Sequence, residues 1–407
     1  MPTKLDVFLA IGFYPNSTAS DLAKKMGKKA VSYNSIYKLA ESLESEGLAK
    51  NYGGLISLSD TEKAKLLFWL LERCFTSGVD YNVVVSEKTA EFVRIGLGKA
   101  IKGLPFQART VRKISAVLAR HGFAIIESKK PFICRIVYSE FLEKLCCYFG
   151  KKPKVSCTDL TDCLDVGKLD LQLEKEYSGF KRASKSWLEF DEIGFIHSSL
   201  SLEGNTLTLP ETERLIKQNI APSSKPFKQA QQVLDYKKAL DGFIYSGEKT
   251  SLENVLEFHK IAMNSLASGA GQVRKQNVQI KGNPDFRTPD WRQLPQYLGN
   301  FFEKMRAFDA QKKPKAHELV QNAAFLHNEF QRIHPFVDGN SRTSRAIFTK
   351  YLIEKGFPLI KIPIGFMGQY MALTKLSKRR DDEKFAILMK QITIECLKQA
   401  MQKIEFS

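Results

Sequence analysis

The sequence predicts a mainly α protein, with a helical C-terminal half preceded by smaller α+β units. Three observations predict it. From Ser186 onward, apolar residues recur at three- and four-residue spacing, which places helices at 187–203, 210–218, 226–245, 251–266, 290–308, 316–334, 342–355 and 381–404. One short extended piece interrupts them: Gln276–Lys281 alternates, with Val278 and Ile280 on one side, and a turn follows at Gly282-Asn283-Pro284. The first 150 residues carry a repeated pattern, a helical segment closed by glycine and then two β-prone runs around a turn.

In order along the chain, the first such unit has a helix-period segment from Lys38 to Gly47, then Ala49–Leu58 with Gly53-Gly54 at its middle. The second has Lys113 to Gly122, then Ala124–Val137 with the turn Lys129-Lys130-Pro131. Glycine after a helix supplies the left-handed residue that stops it. Helix, helix, helix and hairpin is the layout of a winged helix, and both units resemble that family. Ser20–Met26 is then expected as the positioning helix and Ser32–Glu46 as the recognition helix. The expected organisation is a winged helix at 1–75, a second at 76–150, a linker at 151–185 and a helical domain at 186–407.

Composition narrows the class. With 407 residues and 43% hydrophobic content the chain can bury more than one core. No apolar run approaches membrane-spanning length and no charged-then-apolar leader opens the chain, so a cytoplasmic protein without membrane partners is expected. Cys74, Cys134, Cys146, Cys147, Cys157, Cys163 and Cys396 fit no zinc spacing and read as ordinary reduced side chains. The formal charge of +18 favours anionic partners. It is concentrated at 101–135, where Lys102, Arg109, Arg112, Lys113, Arg120, Lys129, Lys130 and Arg135 face only Glu127.

Residues 334–345 read His-Pro-Phe-Val-Asp-Gly-Asn-Ser-Arg-Thr-Ser-Arg. The preceding helix has an apolar face of Leu319, Ala323, Leu326, Phe330 and Ile333. Pro335 ends it at His334, so an imidazole projects from an anchored helix end, as a general base requires. Asp338-Gly339-Asn340-Ser341 are turn formers whose amides can converge on an anion before the next helix. Arg342 and Arg345 follow in what the sequence reads as that helix's first turn. Cations there oppose the helix dipole, and a bound polyphosphate would compensate them. Asp338 is the hard oxygen ligand for magnesium on those phosphates.

This stretch resembles the signature of the Fic family, His-x-Phe-x-Asp/Glu-Gly-Asn-Gly-Arg-x-x-Arg, at every defined position but one, where Ser341 replaces glycine. The likeness extends from about Ser186 to the C-terminus. It implies an all-helical Fic core with a short β-hairpin flap, and a nucleotidyltransferase that moves AMP from ATP to a Ser, Thr or Tyr hydroxyl of a protein target, including the chain itself. On that resemblance His334 is the base, Asp338 the magnesium ligand, Gly339, Asn340 and Ser341 the anion nest, and Arg342 and Arg345 the triphosphate clamp. Phe336 packs the loop, Val278, Gln279 and Ile280 belong to the flap, and Arg274 after Gly271 fits the flap entry. Ser341 could crowd a phosphate or strain the turn, and leaves the transferred group open. Self-association into a homodimer is also left open.

The helix at 187–203 carries Phe190, Ile193, Ile196 and Leu200 on one face, and Glu203 falls next on that stripe. A carboxylate facing an apolar interior needs a cation, and Arg345 is a candidate. Ser199-Leu-Ser-Leu-Glu203-Gly204 resembles the inhibitory motif Ser/Thr-x-x-x-Glu-Gly/Asn of Fic proteins, which implies that Glu203 occupies Arg345 and blocks the triphosphate. At the other end, Lys24, Lys25, Lys28, Lys29, Tyr33, Asn34 and Lys38 surround the first recognition helix and would suit DNA, whereas Glu41, Glu44 and Glu46 on it oppose that reading. The alternative to an autoinhibited enzyme is therefore a DNA-binding regulator whose Fic core senses ATP with little transferase activity.

Overall fold

The computed structural model describes residues 2–27, 32–102, 106–183, 191–223, 225–280 and 283–406. Lys28, Lys29, Ser186, Phe190, Lys281 and Gly282 of the sequence expectations lie outside the described residues. Among the described residues the chain is mostly helical, with two small sheets, and it divides into two compact units, 1–118 with 124–156, and 119–123 with 157–407.

The first unit opens with α1 (Lys4–Phe13), α2 (Ala19–Lys25) and α3 (Tyr33–Ser45). Capping boxes start the first two, Thr3 with Asp6 and Thr18 with Asp21, and the Ser32 hydroxyl accepts from the Ser35 amide at the start of the third. Strands β1 (Ala49–Tyr52) and β2 (Leu55–Leu58) form a hairpin in which Tyr52 faces Leu55. Gly53 and Gly54 both have positive φ, as a two-residue hairpin turn requires. Then come α4 (Glu62–Thr76), α5 (Tyr81–Val84), α6 (Glu87–Gly96), β3 (Ala100–Lys102), α7 (Ala108–Arg120), β4 (Ala124–Lys129), β5 (Phe132–Ile136) and α8 (Glu140–Tyr148). The second sheet has the order β3-β5-β4 and is antiparallel throughout.

The second unit holds α9 (Val166–Ala183), α10 (Glu192–Ser201), α11 (Leu209–Gln218), α12 (Phe227–Ile244), α13 (Leu252–Ala262), α14 (Leu294–Asp309), α15 (Ala316–Ile333), α16 (Asn340–Glu354), α17 (Met367–Leu373) and α18 (Asp382–Phe406). Helix α15 packs on α16 and on α18, and α12 packs on α13. The segment read as a linker is not free chain. Its helix α9 lies along α18 and buries Leu169, Leu173 and Phe180. That stripe is one residue wide among seven charges, too thin to stand out as periodicity. Helix α17 was likewise not expected from the sequence. The flap forms no strand ladder among the described residues, and its β contact is a single bridge from Ile280 to Asn283. Side chains hold it instead: Asn283 Nδ2 donates to the carbonyls of Lys375 (3.0 Å) and Ser377 (2.6 Å), and Thr288 Oγ1 donates to the Val278 carbonyl (2.9 Å).

Candidate active site

His334 caps α15 in the left-handed conformation (φ 50°, ψ 58°), with its amide still bonded to the Phe330 carbonyl at 3.0 Å. Its backbone is gripped from outside by buried Arg274. The Arg274 Nε donates to the His334 carbonyl (2.8 Å), its two terminal nitrogens donate to the carbonyls of Gln276 and Pro289, and its amide donates to the Pro335 carbonyl. One arginine therefore ties His334 to Gln276 and Pro289. The His334 Nδ1 lies 3.2 Å from the Gln331 carbonyl. A carbonyl can only accept, so Nδ1 carries the proton and Nε2 keeps its lone pair. Burial pushes this imidazole down to about 4, against the opposing Gln331 bond and with help from the Arg274 charge. It is neutral at physiological pH.

The loop after His334 is held by two clamps. Asn340 closes one: its Oδ1 accepts from the Phe336 amide (3.0 Å) and its Nδ2 donates to the Phe336 carbonyl (2.9 Å). The side chain of Asn340 thus serves the loop, and its backbone is what remains for an anion. His259 on α13 closes the other. The Gly271 amide donates to His259 Nδ1 at 2.8 Å, so Nε2 is the protonated nitrogen and donates to the Asp338 carbonyl at 2.8 Å. The same ring stacks on Phe336 with centroids 3.6 Å apart. Sequence reading missed His259. Its one signal was a polar residue on the buried face of α13 beside Val255, Phe258 and Ala262.

Gly339 is needed twice over. Its φ is +84°, and a Cβ there would sit 2.7 Å from Met263 Sδ and 2.9 Å from the pinned His259 Nε2. Gly339→Ala is expected to cost about 2–4 kcal/mol, from the left-handed backbone and the overpacking together. Thermal unfolding checks this, and an unchanged midpoint would contradict it.

Helix α16 begins at Asn340 with no side-chain cap. Its first amides have no intrahelical acceptor, and the helix dipole adds positive potential at the same point. Ser341 lies inside the helix and is not among the residues with positive φ. The strain that a side chain here could have caused is absent. Arg342 follows, buried, with a terminal nitrogen 3.2 Å from Asp338 Oδ1 and a buried Nε that has no partner among the described residues. Asp338 Oδ1 also accepts from the Gly339 amide at 2.6 Å, while the side chain stays 60% exposed.

Because α16 starts at Asn340, Arg345 stands in its second turn rather than its first, and is 5% exposed. Its Nε donates to the Ser199 hydroxyl (2.8 Å), and one terminal nitrogen donates to both the Ser199 carbonyl (2.9 Å) and Glu203 Oε1 (2.8 Å). The Tyr236 hydroxyl lies 3.0 Å from that of Ser199 and fixes the pair from behind. Burial opposes ionisation of Glu203, but the charges of Arg345, Arg342 and Lys375 outweigh it and hold the carboxyl below its usual range. Glu203 lies just past the end of α10, which the structure describes from Glu192 to Ser201.

These parts meet in one cleft of about 480 Å³. Its lining includes Glu203, Gln279, Ile280, His334, Asp338, Gly339, Asn340, Ser341 and Arg342. Arg345 is not in that lining; Glu203 is, and it occupies the arginine. Val278 stands one residue back, its carbonyl engaged by Thr288. The arrangement can do three things: bind an anion at the start of α16, accept a proton at His334 Nε2, and hold an extended segment along the flap.

A cleft of this kind sets an uncapped helix start beside a neutral imidazole inside a helical core. Residues 249–352 match the Fic/DOC family. Among curated relatives, the chain is similar to "Protein adenylyltransferase Fic" of Drosophila grimshawi, 26% identical over 210 residues, which is 50% of this chain and 41% of the relative. The Drosophila melanogaster protein of the same name is 25% identical over 244 residues, 58% of this chain and 47% of the relative. The chain thus spans less than half the length of these relatives. Among solved structures, a Fic-domain-containing signaling protein from Bacteroides thetaiotaomicron matches with TM-score 0.50 and 18% identity, over 58% of this chain and 98% of that one. A variant fragment of Fic-1 from C. elegans matches with TM-score 0.51 and 12% identity, over 95% and 98%. At these identities the likeness concerns the fold.

Proposed function

We propose that this chain is a protein adenylyltransferase held off by its own Glu203. The observation that carries the reading is the uncapped start of α16 in the same cleft as a neutral imidazole whose Nε2 has no hydrogen-bond partner among the described residues. The relatives named protein adenylyltransferase agree with it. In the proposed reaction a target hydroxyl oxygen bonds to the α-phosphorus of ATP, the bond from that phosphorus to the bridging oxygen breaks, and pyrophosphate leaves. The hydroxyl proton passes to His334 Nε2. Nearby phosphate charge favours the imidazolium, so the base strengthens once nucleotide is bound. The amides of Asn340, Ser341 and Arg342 and the Arg342 side chain hold the phosphates. Gln279 and Ile280 on the cleft wall align the target backbone, which tolerates many target sequences.

Magnesium fits the donor set in a limited way. Asp338 would offer a largely exposed carboxylate. No group of three His, Cys, Asp or Glu stands ready among the described residues, so the other ligands would come from phosphate and water, as is usual for this ion. When bound, it neutralises phosphate charge.

The test is to incubate the purified protein and its Glu203→Gly variant with magnesium and ATP and to measure intact mass. Added adenylate on the variant supports the reading. No adduct on either protein, with nucleotide binding intact, favours an ATP sensor. A pH series adds a second check. A base must be deprotonated, and free His334 loses its proton only near 4. The acid limb of kcat/KM is therefore expected well below the ordinary histidine value of about 6.5. An acid limb at that ordinary value would show that a different group titrates.

A further inference from the structure

The basic excess of the chain has a place that the adenylyl-transfer reading does not use. On α7, Arg109, Arg112 and Lys113 are exposed, and their three- and four-residue spacing puts them on one face. Val111, Ile114 and Leu118 are buried on the other. Strand register brings three more cations together. Lys102 pairs with Ile133 and Lys129 with the adjacent Phe132, so Lys102, Lys129 and Lys130 stand at the same end of the sheet, all exposed. None of these six forms an ion pair among the described residues, whereas nearby Arg135 is bound to the local acid, Glu127. On α3 the lysine Lys38 shares the exposed surface with Glu41 and Glu44, and Glu46 follows at its C-terminal end.

We propose that the α7 face, with the lysine end of the β3-β5-β4 sheet, is a binding surface for duplex DNA. Unpaired cations have no folding role that requires them together, and each that meets a phosphate releases a counterion. A helix bearing such a face fits the width of the DNA major groove, and the deep, narrow major groove of duplex RNA excludes it. The acids of α3 repel the same backbone, so of the two candidate helices α7 is the one selected.

The experiment uses the full chain and a labelled mixed-sequence DNA duplex, with binding followed by fluorescence anisotropy across a salt series. The affinity is expected to fall linearly on a log–log plot. The triple variant Arg109→Ala, Arg112→Ala, Lys113→Ala is expected to flatten that slope by about 3, roughly one per lost phosphate contact. A control triple on exposed lysines of α2, α3 and α4, Lys24→Ala, Lys38→Ala, Lys63→Ala, is expected to leave it unchanged. Circular dichroism establishes that both variants fold. The proposal is overturned if the first triple keeps the native slope, if the control flattens it equally, or if duplex RNA or polyglutamate displaces the DNA as well as unlabelled DNA does.

Discussion

Replacing His334 by alanine is expected to abolish self-adenylylation of the Glu203→Gly protein while leaving its ATP affinity within a few-fold. A positioned general base contributes about 10²–10⁴ in rate, and His334 is the one histidine in the cleft lining. The groups proposed to hold phosphate do not depend on it. Asn340 still ties to Phe336, His259 still holds Asp338, and the amides at the start of α16 stay in place. The substitution has a backbone cost, because residue 334 is left-handed. Alanine there costs about 1–2 kcal/mol. His334→Asn is the cleaner variant, since asparagine tolerates that conformation and also lacks the base. Initial rates by radiolabel transfer and nucleotide affinity by calorimetry separate chemistry from binding. A rate within tenfold of the parent in the asparagine variant would remove His334 as the base.

Glu203→Gly has the second large effect, a gain. In the resting protein Arg345 spends its donors on Ser199 and Glu203. On the proposed reading a triphosphate competes for the same guanidinium, so deleting the carboxylate is expected to raise adenylyl transfer at least roughly tenfold, equivalent to ~1.4 kcal/mol. Stability moves the other way. Removing one partner of a buried ion pair costs about 3–5 kcal/mol where the remaining charge is uncompensated. The two Ser199 bonds retain part of the solvation of Arg345 and place the loss below that range. Magnesium and ATP are therefore expected to raise the melting temperature of the variant more than that of the parent, because nucleotide resupplies the missing negative charge. Glu203→Gln, which keeps the shape and loses the charge, should fall between. Equal nucleotide-induced shifts in all three proteins would separate Glu203 from phosphate binding. Acid does not substitute for the mutation. The Glu203 carboxyl is held below its ordinary value, so it stays ionised down through mildly acidic pH, and no activation is expected between pH 7 and about 5.

Much of the helical core was legible because its signals are local. The expected helix 316–334 appears as Ala316–Ile333, and 381–404 as Asp382–Phe406, since an apolar stripe and a stop at Pro335 need no distant partner to be read. The helix expected at 226–245 appears as Phe227–Ile244 in the same way. Helix α9 was lost among charges because the apolar surface of α18 that completes its burial lies far along the chain. The alternation of the flap was legible; what the sequence did not show is that, among the described residues, Asn283 and Thr288 side chains hold it beside a single bridge from Ile280 to Asn283.

By itself the sequence determined the chemistry available: an imidazole at a helix end, a small-residue turn before a second helix, two arginines, and a carboxylate on an otherwise apolar stripe. Each follows from neighbours within a turn or two. Only the tertiary structure decided what each group touches. It set Glu203 on Arg345 across 142 residues and His259 on Asp338 across 79. It put Arg342 in the cleft lining while Glu203 occupied Arg345. Periodicity and capping are properties of a segment. An ion pair or a ring clamp exists only when packing carries distant segments together, and no residue pattern along the chain records that distance.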